Sequence, residues 1–183
     1  VFARENSRTM AVSAPLLQLG IKGQPAEGGA AQLRQRLLGE LACEALAGNS
    51  SPLYNRLYEK GLINSSFYLG YMDYPGCAFL VAGGETKDPE GVRDAILQEG
   101  KRMEEAFFQR LKKAAYGAYV RGLNSFETLC VEQAQGYFAE QNPWTFPEIY
   151  DALTRQDVEE FLRVWIKPEQ TSLIVIWPEE AGK

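Results

Sequence analysis

The chain has 183 residues, 45% of them hydrophobic, and a net charge of −5 at pH 7, enough apolar content for a single α+β domain spanning 1–183 with its own core. Its scattered basic residues exclude the basic stripe that nucleic-acid binding needs, and apolar runs such as 173–177 are too short to cross a bilayer. Histidine is absent altogether, which excludes Ser-His-Asp and Cys-His catalysis and the common zinc ligand sets.

Other chemistries fare no better. Cys43, Cys77 and Cys130 are isolated and odd in number, so they predict packed core thiols in a reducing, cytoplasmic compartment. No Asp-x-Asp-x-Asp-Gly loop offers a calcium site, and neither Gly28-Gly29 nor Gly83-Gly84 sits in a phosphate-cradling frame. Both glycine pairs are predicted turns. The chain opens on Val1 in a polar segment without a charged-then-apolar leader, which is expected of one piece of a longer polypeptide.

In chain order, Leu17, Leu19 and Ile21 alternate with Gln18, Gly20 and Lys22, predicting a strand over 17–22. Leu33, Leu37, Leu41 and Ala45 share one face of a predicted helix, Ala30–Ala47, ended by Gly48-Asn49. Ser51 is a helix cap with Pro52 at the first helical position, and the short helix through Lys60 stops at Gly61. Strands are predicted over 63–74 and 77–82, joined by Tyr74-Pro75-Gly76. Asp88-Pro89 starts a helix with Val92, Ile96 and Leu97 on its apolar stripe. Two helices follow, over 104–120 and 125–140. Their inner stripes are Phe107, Leu111, Ala114, Ala115 and Ala118, then Phe126, Leu129, Cys130, Gln133 and Tyr137. Thr154 and Asp157 form a capping box for a last helix with Val158, Phe161, Leu162 and Trp165 inward, and 171–177 is a closing strand. Adjacent central strands imply a hairpin, hence an α+β fold: a mostly antiparallel sheet with helices packed on one face.

The run Ser51-Pro52-Leu53-Tyr54-Asn55-Arg56-Leu57-Tyr58-Glu59-Lys60-Gly61-Leu62 resembles a segment of pitrilysin/insulinase-type (inverzincin) zinc peptidases, roughly Ser-Arg-Leu-Phe-x-x-x-Arg-Glu-Lys-x-Gly-Leu-x-Tyr. The opening strand, the closing strand and the helix order between them fit the same part of that family, the second half of its clamshell. The resemblance implies an enclosed chamber between two related halves. One half carries H-x-x-E-H, whose histidines hold zinc and whose glutamate activates water. The other, which this chain resembles, lacks the motif and helps to hold the peptide. No cofactor is then expected in this chain, with zinc in a catalytic partner half on the same polypeptide or another subunit. The helix Ala30–Ala47 takes the place that bears the motif in a catalytic half, but its Glu40 and Glu44 have no histidine neighbours and read as a solvated face.

The resemblance also implies two weak peptide-binding positions. Aligned with one residue deleted between Lys60 and Gly61, Tyr58 stands where the family has a substrate-facing arginine, and Asn64 where it has a tyrosine. Neither carries the same chemistry, since Tyr58 lacks a permanent charge and Asn64 offers only amide hydrogen bonds. A structural or interaction protein derived from the same family is the alternative reading, and an independent hydrolase using only carboxylates has no supporting motif. The apolar surface of an isolated half predicts self-association.

Overall fold

The computed structural model describes residues 4–179; Val1, and any reading of where the chain opens, lies outside them. Strands β1 (Glu5–Met10), β2 (Leu16–Gly23), β3 (Tyr68–Tyr74), β4 (Cys77–Glu85) and β5 (Thr171–Pro178) form one sheet in the order β1-β5-β2-β4-β3. β1 runs parallel to β5 and every other pairing is antiparallel, as the predicted α+β class requires. Helices α1 (Ala30–Ala47), α2 (Pro52–Glu59), α3 (Pro89–Gln98), α4 (Glu105–Gly122), α5 (Phe126–Phe138), α6 (Phe146–Ala152) and α7 (Arg155–Trp165) complete the chain.

The alternation read in β2 becomes the packing face. Leu17, Leu19 and Ile21 are buried while Gln18 and Lys22 face solvent. Register carries that face across the sheet: Leu19 lies opposite Ala82 on one side and Leu173 on the other, and Ile21 opposite Leu80, which lies opposite Tyr71. Each fully buried Leu or Ile in these rows contributes on the order of 1.5–3 kcal/mol. α1, α3 and α7 cover the sheet. α1 comes close to β3 because residue 39 is glycine: a Cβ there would run into the Tyr71 ring. Tyr71 in turn meets Phe161 and Trp165 of α7, whose own rings stack 4.6 Å apart.

The helix ends follow their local chemistry. Ser51, Asp88, Ser125 and Thr154 each accept a hydrogen bond from a backbone amide in the first turn of the helix they start. At α7 the reciprocal bond from Asp157 to the Thr154 amide completes the capping box. Gly61, at φ 63°, closes α2 in the left-handed conformation that glycine adopts without strain.

Several expectations need correction. The strand expected over 63–74 begins only at Tyr68, because Asn64 Oδ1 accepts from the Ser66 amide at 2.8 Å and holds 64–67 as a turn. Phe67 is nevertheless buried. β1 and α6 were not predicted: β1 is exposed at every position and so has no alternation, and α6 is a single short element after Pro143. In α4 the buried residues are Phe108 and Leu111, with Ala114 and Ala118 exposed. The predicted inner stripe of α5 is open, with Phe126 82% and Tyr137 80% exposed. Of the three cysteines only Cys43 is a core thiol; Cys77 and Cys130 are exposed, and all three are free.

Candidate functional site

A cavity of about 810 Å3 opens between α1, β3 and the α4–α6 segment. One wall comes from a simple helical fact: residues four apart share a face. Arg36, Glu40 and Glu44 therefore form a row along α1, and all three line the cavity. Glu132 of α5 contributes a third carboxylate, and Leu69, Gly70 and Tyr71 of β3 form another side. α4 presents small residues, Ala114, Ala115 and Ala118, which leave the space open.

The remaining wall is aromatic. Tyr119 stacks on Phe146 at 3.9 Å, and Phe146 on Tyr150 at 5.0 Å. This ladder lines the cavity. Across it, Arg36 donates to Gln141 Oε1 at 3.0 Å. The hydroxyls of Tyr71 and Tyr150 are buried without a hydrogen-bond partner in the protein.

The electrostatics are those of a walled acidic site. Glu40 is reached by solvent through the cavity mouth, yet protein encloses its other sides. That desolvation raises its pKa above the ordinary value against the opposing pull of Arg36, while Asp73 and Glu132 push the same way. Burial lifts the Tyr150 hydroxyl to about 12 and raises Tyr71 as well, with the charge of Glu40 acting on both. The thiol of Cys43, a buried residue of the same wall, is raised by the same cause.

The two positions implied by the family resemblance lie elsewhere. Tyr58 is 53% exposed on α2, its ring stacked on Tyr54 at 5.9 Å. Asn64 is committed to its turn and donates through Nδ2 to Glu85 Oε2 at 2.8 Å. Neither lines the cavity. Glu40 and Glu44 do face solvent as expected, but across a cavity rather than on an open helix face. Arg36, Glu132 and the aromatic ladder were missed; the spacing of Arg36, Glu40 and Glu44 was the one signal that could have found the site. Among the described residues no group of three or more His, Cys, Asp or Glu side chains is placed to hold a metal ion.

No family model matches the chain. It is 26% identical over 184 residues to the uncharacterized zinc protease YmfH of Bacillus subtilis, covering 98% of this chain and 43% of that protein. The chain thus spans less than half the length of the curated relative it matches. An M16-like peptidase from Alicyclobacillus acidocaldarius superimposes with a TM-score of 0.89 at 17% identity, over 97% of this chain and 44% of that one. The inactive peptidase domain of a zinc protease from Bordetella parapertussis matches with a TM-score of 0.75 at 15% identity, over 100% of this chain and 98% of that one. The chain therefore has the fold shared by the M16-like peptidase and by the inactive peptidase domain, and its sequence is similar to that of the Bacillus subtilis zinc protease along nearly the whole length of this chain.

Proposed function

We propose that this chain forms one wall of a peptide-enclosing chamber, opposite a separate H-x-x-E-H half that carries the zinc, and that it holds substrate without cleaving it. The observation that carries this reading is the cavity beside β3, the end strand of the sheet. An extended peptide adds to such an edge through main-chain hydrogen bonds, while alternate side chains enter a neighbouring pocket. The catalytic half, in the same polypeptide or on a partner subunit, supplies metal and activated water. In this chain Tyr58 and Asn64 are secondary peptide contacts, the first through its exposed ring and the second through what remains of its amide.

The exposed apolar groups of α5 support docking against another half. Phe138 is 85% exposed, Tyr137 80% and Val131 50%, and a patch of that kind is a contact surface in an assembled protein. Without its partner the same surface drives self-association. No helix among the described residues is long and apolar enough to cross a membrane, and the free thiols favour a cytoplasmic location.

The test is reconstitution. A catalytic half, zinc and this chain are mixed and peptide cleavage is followed; hydrolysis should require all three. Cleavage undiminished when this chain is omitted would sink the role. The second reading, a structural protein derived from the same family, is favoured by the loss of the arginine-and-tyrosine chemistry at Tyr58 and Asn64. It predicts a stable complex with the partner half and no effect on turnover.

A further inference from the structure

We infer that the α1–α6 cavity is a pocket for a basic side chain, arginine above all, presented by a bound peptide. This rests on the reading that the chain holds peptide, and adds which peptides it prefers. Three carboxylates, Glu40, Glu44 and Glu132, face one guanidinium, Arg36, whose reach is already taken by Gln141. The lining is therefore net negative and short of cations.

Carboxylates alone would be an ordinary solvated cluster. Two further features set this one apart. Tyr71 and Tyr150, 8% and 3% exposed, line the cavity with hydroxyls that no protein group satisfies, and such buried polar atoms are rare without a purpose. A phenolic oxygen can accept from a guanidinium or ammonium N–H as well as donate. The Tyr119–Phe146–Tyr150 ladder also lines the cavity with aromatic rings; Lys112 already stands 5.9 Å over the Tyr150 ring, so a planar guanidinium would stack at the Tyr119 end while its edge meets a carboxylate. Lysine fits the charge but not the stacking. An acidic side chain would meet like charge.

Peptide, rather than a free small cation, follows from the third wall. Leu69, Gly70 and Tyr71 belong at once to the cavity and to the end strand β3. A chain laid along that edge delivers side chains into the cavity at the two-residue period of a strand. The overall charge of −5 steers basic peptides toward it.

The experiment uses this whole chain and a set of short peptides identical except at one position, which holds arginine, citrulline, lysine or glutamate. Binding is read by fluorescence anisotropy at two salt concentrations. The arginine peptide should bind about tenfold more tightly than its neutral isostere citrulline, and that margin should shrink with salt. Glu40→Gln and Glu132→Gln should each reduce the margin by weakening the arginine peptide more than the citrulline peptide, and Arg36→Gln should widen it. Thermal unfolding of each variant checks its fold. Should a variant fail to fold, the citrulline comparison and the salt dependence of the unaltered chain still decide the matter. Equal affinity for arginine and citrulline would overturn the basic pocket and leave peptide holding intact. Binding of none of the peptides would overturn the pocket, while the reconstitution assay separately judges the supporting role.

Discussion

Helices α5 and α7 start alike and end differently. Each is capped by a hydroxyl residue that accepts from the third helical amide, Ser125 in one and Thr154 in the other. Each carries a run of apolar residues at helical spacing. α7 buries Val158 and Leu162 to 0% and 2% exposure against the sheet, whereas α5 leaves Phe126, Tyr137 and Phe138 in solvent. An apolar stripe reports that a face wants cover; it does not report whether the cover is the same chain. In α7 the cover is the chain's own core, and in α5 it is proposed to be another half.

Mutations can break that comparison from either side. Leu162→Ala should lower unfolding free energy by about 2–5 kcal/mol, since the vacated space lies under a closed core; chemical denaturation measures it. Thr154→Ala removes the α7 cap and should cost about 1 kcal/mol. Part of that cap is electrostatic. Burial pushes the Asp157 carboxyl up, but hydrogen bonds from Thr154 and the Arg34 guanidinium outweigh it and hold the pKa below its ordinary 3.8. The stabilisation is therefore present above that value and fades as pH falls through the native pKa, so the Thr154→Ala deficit should narrow in acid.

Phe138→Ser on α5 should change stability by no more than about 0.5 kcal/mol, because the ring has little to lose. It should instead reduce self-association in sedimentation velocity. A loss as large as that of Leu162→Ala would erase the distinction between the two helices. Glu40→Gln should have the smallest effect on folding, and of the opposite sign. A carboxyl whose native pKa is raised favours the folded state at low pH and loses that contribution as pH rises through the native value. The glutamine variant should therefore melt slightly higher than the native chain near neutral pH, with the gap closing in acid.

The sheet and its covering helices were legible because their signals are local and periodic. β2 alternates, α1 repeats its leucines, and Thr154 with Asp157 announces a helix start. β1 escaped because an exposed strand has no alternation to read, and its parallel pairing with β5 joins residues far apart in sequence. The start of β3 was misplaced because Asn64 spends its side chain on a turn that hydrophobicity does not reveal. The cavity was harder still. Its carboxylates come from α1 and α5 and its rings from α4 and α6, so only the tertiary fold brings them together. Tyr58 and Asn64, chosen by alignment to a family pattern, sit at the α2–β3 junction instead.

The unequal burial of the three cysteines gives the fold a built-in clock. Cys77 and Cys130 are open to solvent and Cys43 is buried in the C-terminal half of α1, so a small alkylating reagent should add twice to the native chain at once and a third time only when α1 lifts away. The delay before that third addition measures how often the floor of the cavity opens. A basic peptide that truly occupies the cavity should lengthen it.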